Sequence, residues 1–320
     1  MKRKSLIYSL FLKGGVILFL FLIQFVLPTY HHSSFSKIMI LASYAIAYNF
    51  LLGYTGLMSL GHAMFFASGM YSAGLSILYL GFTPLEGMIF GTLFTLTMSL
   101  IFGLFALRTS GVSFLIVTLM FGQTFYLAIL YYNEFTFGQD GFSITNYLDS
   151  LVIFGKEYLY SNPTIRYNFA LILLALYLLI TTIIILSPIG RILIAIRENE
   201  ARTQLLGYNV FSYKLFALTF SGTLAGISGA MHALLFSYIG TTFAEIHHSI
   251  SPLLWTLLGG AGTVIGPLLG TGIMYYLIDF ISGITSNYLL VVGVILVLTI
   301  IWFPLGIMGT IRQRWLKWLP

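Results

Sequence analysis

Two histidines fall inside long apolar stretches, His62 beside Gly61 and His232 in a run rich in Gly, Ala and Ser. Each could titrate or relay a proton, and each could equally be a hydrogen-bonded packing residue. Little else in the chain offers chemistry. Gly155-Lys156 is followed by Glu157 and lacks the preceding glycine with which a P-loop cradles phosphate. Gly260-Ala261-Gly262 with Gly266 loosely resembles a dinucleotide fingerprint, with Asp279 about where a ribose ligand would stand, but the spacing is off by one in a membrane-like segment. His31-His32 and His247-His248 lack a cysteine or a spaced carboxylate to complete a metal site. With no cysteine at all, thiol chemistry and disulfides are unavailable. Paired carboxylates and nucleophile–base sets do not occur at recognisable spacing. No catalytic residue, metal site or cofactor is expected in this chain.

The elements around these residues belong to a membrane. Hydrophobic residues make up 58% of 320, charged residues 8%, and the mean hydropathy is +0.96. A water-facing surface typically needs about 25% charged residues. Apolar runs at 14–30, 38–58, 61–80, 87–107, 111–132, 167–187, 213–237, 250–282 and 287–304 are each candidates for a crossing, which takes roughly 20 residues. The run 250–282 contains Pro252, Gly259-Gly260-Ala261-Gly262 and Gly266-Pro267, and is too long for one upright helix. The N-terminal Met1-Lys2-Arg3-Lys4 and the run from Gly14 to Leu27 resemble a signal peptide. That run leads into Pro28-Thr29-Tyr30-His31-His32, a poor cleavage site, so it reads as a retained first span.

Basic residues set the orientation. With the N-terminus inside and two passes in 250–282 there are ten spans, and Lys2, Arg3, Lys4, Lys13, Arg108, Arg191, Arg197, Arg202, Lys214, Arg312, Arg314 and Lys317 are all cytoplasmic. Only Lys37, Lys156 and Arg166 remain outside. The net charge of +6 is thus a signature of membrane topology, and nucleic acid is not expected as a partner. The expected fold is an all-α polytopic membrane protein of about ten helices, one transmembrane domain over 1–320 with both termini cytoplasmic. It carries an external loop at 133–166 and a cytoplasmic loop at 188–212. The tail with Trp315 and Trp318 suits a helix at the headgroup level or a solvated end.

No Asp, Glu, Lys or Arg lies deep in these spans, which argues against a proton-driven carrier. Gly222-Thr223-Leu224-Ala225-Gly226 and Gly266-Pro267-Leu268-Leu269-Gly270 match the small-xxx-small pattern of close helix contact. Leu51-Leu52-Gly53, Gly56 and Gly61 are faintly echoed by Leu257-Leu258-Gly259, Gly262 and Gly266, as in a duplicated transporter with broken helices.

The cytoplasmic loop reads Pro188-Ile189-Gly190-Arg191, then Ala195-Ile196-Arg197-Glu198-Asn199-Glu200-Ala201, then Leu205-Leu206-Gly207. Helical period runs through Ile192, Ala195 or Ile196, Asn199 and Thr203, with Gly207 a natural stop. Such a short amphipathic helix suits a groove on another protein or, equally, a solvated linker.

These blocks, continued by Tyr213-Lys214, Ser221 and Ala225-Gly226, resemble the permeases of branched-chain amino acid ABC importers, most closely the LivM-type subunit. Asn49 to Phe66, Leu258 to Pro267 and Phe303-Pro304-Leu305-Gly306-Ile307 resemble the same family, so four blocks in order cover about 50 to 310. A basic residue often stands in that family where this chain has Leu305.

The resemblance implies a bacterial inner-membrane permease working with a second, LivH-like permease, two cytoplasmic ATPases that use the ATP, and a periplasmic solute-binding protein. It also implies that 188–207 couples to an ATPase through Arg191, Arg197, Glu198, Asn199, Glu200 and Gly207. Tyr54, Thr55, Ser59 and His62 are the candidate pathway residues, though packing residues would look the same. A pathway of Tyr, Ser, Thr, Gly and apolar groups suits a small net-neutral solute such as leucine, isoleucine or valine. A similar family imports urea and shares the Gly53-Tyr54-Thr55-Gly56 wording. The reading from another class is a stand-alone carrier or channel.

Overall fold

The computed structural model describes residues 2–148, 151–153, 156–158 and 162–314. Trp315 and Trp318 lie outside them. The described chain is a helical bundle in which α1 (Lys2–Ile23), α2 (Thr29–Thr55), α3 (His62–Leu80), α4 (Pro84–Ala106) and α5 (Val112–Tyr131) follow one another through short turns. The loop after α5 holds a single-turn helix α6 (Asn133–Thr136) and strands β1 (Phe142–Ser143), β2 (Leu151–Ile153) and β3 (Lys156–Tyr158). Then come α7 (Pro163–Leu186), the short pair α8 (Pro188–Glu198) and α9 (Glu200–Leu205), α10 (Val210–Phe236) and strand β4 (Tyr238–Ile239). The chain closes with α11 (Ile246–Gly259), α12 (Gly266–Ser282), α13 (Tyr288–Trp302) and α14 (Gly306–Arg314).

Seven described helical stretches are long and apolar enough to cross a membrane, the last of them Tyr288–Arg314, which joins α13 and α14. The other three of the ten expected passes are α1, whose apolar part is Phe11–Ile23, and the 14- and 17-residue helices α11 and α12. At 1.5 Å per residue these last two are about 21 and 26 Å long, short of the roughly 30 Å hydrocarbon core. The apolar run 250–282 thus splits in two as expected, into helices somewhat shorter than a full crossing.

Turn and cap residues fix the helix ends. Thr83 and Glu86 form a reciprocal capping box behind Pro84 at the start of α4, Asn162 caps α7 ahead of Pro163, and Ser187 caps α8 ahead of Pro188. The expected boundary between the first two spans is corrected. The first helix ends at Ile23 and the second already begins at Thr29, because Pro28 sits at its N-cap and His32 Nε2 bonds the carbonyl of Gln24 at 3.0 Å. The polar stretch 29–34 is therefore helix.

Small residues draw α3, α4 and α10 together. A Cβ on Gly229 would collide with the carbonyl of Phe66, one on Gly69 with Gly226, and one on Gly226 with Thr95. Gly270 and Gly259 seat α12 against α11 in the same way. Both small-xxx-small pairs are helix contacts, as expected. Helix α2 crosses the centre of the bundle, touching α7, α10, α11 and α12, and its side chains from Ile38 to Leu51 are largely buried. At one end β1 pairs with β4 in the register Phe142↔Ile239, which fastens the long loop to the segment after α10. At the other, the basic end, lie α8, α9, α14 and the ends of α2 and α7.

One charge departs from expectation. Lys13 was to lie at the rim of the first span, but α1 carries it into the bundle, where it is buried and donates to Thr182 Oγ1 at 2.6 Å. Thr182 stands four residues from the end of α7, about 6 Å by helical rise.

Candidate functional site

Two irregular segments enter the bundle. After α2 ends at Thr55, with Gly56 in the left-handed region at φ 75°, residues 56–61 climb back inward before α3 starts. The start is deep: His62 Nε2 meets Ser221 Oγ at 2.8 Å, and that hydroxyl donates to the carbonyl of Ala47, eight residues before the end of α2, or about 12 Å. Backbone groups buried in such a stretch must find partners. Tyr48 donates its hydroxyl to Ser59 O at 3.0 Å, Thr118 Oγ1 accepts from Leu60 N at 3.1 Å, and Ser59 Oγ accepts from Gly61 N at 3.2 Å. The segment between α10 and α11 enters from the opposite side. Phe243 stacks on Phe66, and Ser249 Oγ accepts from Ala63 N at 2.9 Å.

The structure brings Ser59 and His62 together here and places Tyr54 and Thr55 elsewhere, at the basic end of α2. All four are buried. Thr55 Oγ1 turns back to the carbonyl of Leu51, and Ser59 borders a cavity of about 10 Å³, no larger than one water molecule. Around His62 and Phe66 gathers an aromatic and imidazole cluster of Tyr44, Tyr48, Phe243, His232 and His248. His247-His248, set aside in the sequence as an incomplete metal site, lie in the first turn of α11, and His248 belongs to this cluster. Its neighbours come from three helices and a loop, contacts that no local pattern announces.

The basic end carries the second group. Sequence periodicity suggested one helix over 188–207, but the chain breaks at Asn199, with φ −160° and ψ 101°. The Asn199 side chain accepts from Arg202 N at 2.8 Å, capping α9 instead of continuing α8. Glu200 pairs with Lys214 of α10 at 2.5 Å, Gly207 takes φ 87° after α9, and Arg191 and Glu198 are exposed. Arg197, also exposed, sends its guanidinium back to the carbonyl of Gly53. Leu205 and Leu206 are 89% and 70% exposed, an apolar pair in a polar loop. They were legible in the sequence only as the approach to the Gly207 stop.

The node at Arg197 includes Asn49, which sequence reasoning left unassigned. Its carboxamide accepts from Gly262 N and donates to Thr263 O, both at 2.9 Å, pinning the turn between α11 and α12. The two glycine blocks that echo one another in sequence therefore meet in space. Gly56 and Gly262 both follow a helix in the left-handed conformation, at φ 75° and 74°. A cavity of about 490 Å³ opens beside this turn, lined by Leu257, Thr263, Pro304, Leu305 and Arg312 among others.

A multi-pass helical membrane protein, with broken segments buried at its centre and a capped, exposed two-helix loop at one end, has the form of a transport subunit. The chain belongs to the family described as the permease component of branched-chain amino acid transport systems, whose model matches residues 32–300. It is 29% identical over 305 residues to the high-affinity branched-chain amino acid transport system permease protein LivM of Salmonella typhimurium, covering 86% of this chain and 69% of that one. Identity to the Escherichia coli K12 protein of the same name is 28% over 300 residues, with the same coverage. A ribose import permease protein, RbsC of Haemophilus influenzae, is 31% identical over 120 residues, 35% of this chain and 37% of that one. No solved structure matches the chain significantly.

Proposed function

We propose that this chain is the membrane-spanning subunit of an ATP-driven importer for leucine, isoleucine and valine in the bacterial inner membrane. The observation that carries the reading is the exposed α8–α9 loop: two capped helices, tied to α10 by Glu200 and Lys214, that present Leu205 and Leu206 between charged groups. An apolar pair ringed by charge suits burial against another protein. Arg191 and Glu198 would touch an ATPase there, with Asn199, Glu200 and Gly207 holding the loop in shape. The remaining partners in this reading are a second, LivH-like permease, a second ATPase and a periplasmic solute-binding protein. ATP would be hydrolysed on the partner chains, and closure of the ATPases would push the loop so that the attached helices tilt.

Reconstitution in liposomes tests this. Labelled leucine should enter only when the second permease, both ATPases, the binding protein and ATP are present, with ribose and urea as competing solutes. Leucine uptake by the chain alone would overturn the reading in favour of a stand-alone carrier. Glu200→Arg and Gly207→Pro should each reduce co-purification of the ATPases while leaving membrane insertion intact.

A further inference from the structure

Four elements of the basic end converge on one point. Arg197, in the last turn of α8, donates from Nη1 to the carbonyl of Gly53, one of the carbonyls that the end of α2 leaves without a helical partner. Its aliphatic stem lies on Gly56: a Cβ there would stand 3.0 Å from Arg197 Cγ and 3.7 Å from Arg197 Cβ. The same guanidinium covers Gly262, where a Cβ would lie 3.1 Å from Nη1. Asn49 holds Gly262 and Thr263 from the other side, and Arg312 of α14 reaches Gly262 O at 3.5 Å. Neither arginine forms an ion pair among the described residues. Both are held by backbone carbonyls, and Arg197 lies at the negative end of α2. A positive-φ glycine is needed at 56 and at 262 both for the turn and for room to seat the arginine.

We propose that Arg197 is a positioning residue that makes α8, the end of α2 and the α11–α12 turn move as one body. The guanidinium of Arg197, though solvent-accessible, is committed to Gly53 O and covers Gly262, and so ties the exposed loop to the short hairpin. A displacement of α8 then reaches the α11–α12 turn and, through it, α11, which packs against α3 and the 241–244 turn. Without the tie, the same displacement is absorbed at the surface. This inference rests on the ATP-driven reading above.

The test uses the assembled importer in liposomes, with Arg197→Gln, Arg197→Lys and, as a surface control away from the α8–α9 loop, Arg108→Gln. Arg197→Gln should keep its ATPases on co-purification and hydrolyse ATP as before, yet transport about tenfold less solute per ATP, the size of a lost coupling. Arg197→Lys, which can still donate to Gly53 O, should recover part of that loss. If Arg197→Gln instead sheds the ATPases, the residue is a direct contact and the positioning role is wrong; unchanged uptake per ATP also overturns it. Failure of the importer reading would look different, as ATP-independent uptake by the unaltered protein.

A second variant replaces the tie covalently. Gly56→Cys with Arg197→Cys places two Cβ atoms at a disulfide-compatible separation in a chain that has no other cysteine. Coupling lost in the reduced pair should return on oxidation, relative to Gly56→Cys alone. If oxidation leaves coupling unchanged or lowers it, α8 must move against α2 and the proposal fails.

Discussion

His62 Nε2 donates to Ser221 Oγ across 2.8 Å and 159 residues of sequence, linking the first residue of α3 to the middle of α10. The direction follows from the next bond: Ser221 commits its own hydrogen to the carbonyl of Ala47, so it must accept from the imidazole. Nε2 therefore carries the proton, and Nδ1, buried, has no hydrogen-bond partner among the described residues. An imidazole fixed in this way closes the junction of α2, α3 and α10. Ser221→Ala would leave the Nε2–H facing apolar groups, a loss of about 1 kcal/mol for a hydrogen bond inside a membrane protein. Thermal unfolding of the purified complex should shift down by a few degrees in Ser221→Ala, with Ser221→Thr less affected. An unaltered melting curve for the alanine variant would show that the bond contributes nothing.

Glycines in the α3–α4–α10 cluster make a sharper prediction. Gly229→Ala forces a methyl onto the Phe66 carbonyl, and two packed backbones must part to admit it. Gly293→Ala, on α13, meets nothing within 4 Å. Folded protein recovered from membranes should fall severely for the first and hold or rise for the second, since alanine favours helix over glycine by about 1 kcal/mol. Equal recovery of the two variants would contradict the close approach.

The passes were legible because apolar composition over about twenty residues is a local property. The two-pass split of 250–282 was legible because Pro252 and the glycines after it interrupt a run too long for one helix. The start of α2 was misread because His31, His32, Ser33 and Ser34 look like a loop. They form helix since Pro28 begins one and His32 closes the turn below it. The break at Asn199 was hidden because a helical pattern continues through a residue whose side chain competes for the backbone. Tyr54, Thr55, Ser59 and His62 were named as a group from one short stretch, but the chain reverses at Gly56 and divides them. The joins made by Asn49 and Arg197 span 213 and 144 residues. A single sequence gives no sign of which carbonyl a distant polar side chain will meet.

Asn49 provides a test of the α11–α12 turn. Its carboxamide must both donate and accept, to Thr263 O and from Gly262 N, and it is buried. Asn49→Asp keeps the acceptor, loses the donor and sets an anion against a carbonyl. Asn49→Ala loses both bonds without adding charge. The aspartate variant should therefore give less folded protein than the alanine variant, by thermal unfolding and by yield, because an uncompensated buried charge costs more than a missing bond. The reverse order would mean that the side chain does not bridge the turn.

Because the sequence has no cysteine, single cysteines can report sidedness directly. Leu205→Cys, on the exposed loop between α8 and α10, and Tyr147→Cys, on the loop after α5, are both solvent-reachable. An impermeant maleimide added to intact cells stripped of their outer membrane should label position 147 and spare 205 until the membrane is opened. This follows from the crowding of arginine at the end that carries Arg191, Arg197 and Arg202. Labelling of 205 from outside would invert the whole bundle and remove the ATPase loop from the cytoplasm.

Among the described residues, Lys13 is the one exception to an uncharged interior. It lies in α1 with its ammonium on Thr182 Oγ1, and that hydroxyl in turn donates to the carbonyl of Leu178. The position is one turn from the end of α7, close enough to the basic end for a lysine stem to keep its charge near the headgroups while its methylenes stay among apolar groups. Its methylenes then pack α1 against α7 at that depth, where the charge is tolerated rather than required. Lys13→Met keeps the stem and removes the charge, and should insert and melt nearly as the parent does. Lys13→Glu shortens the reach and reverses the sign on the side where basic residues collect, at a cost approaching the roughly 2.5–3.5 kcal/mol of a charge held at the membrane centre. Membrane levels and thermal unfolding of the two variants decide the matter: if methionine is as damaging as glutamate, the ammonium itself is required, and packing of the stem is not the reason Lys13 is there.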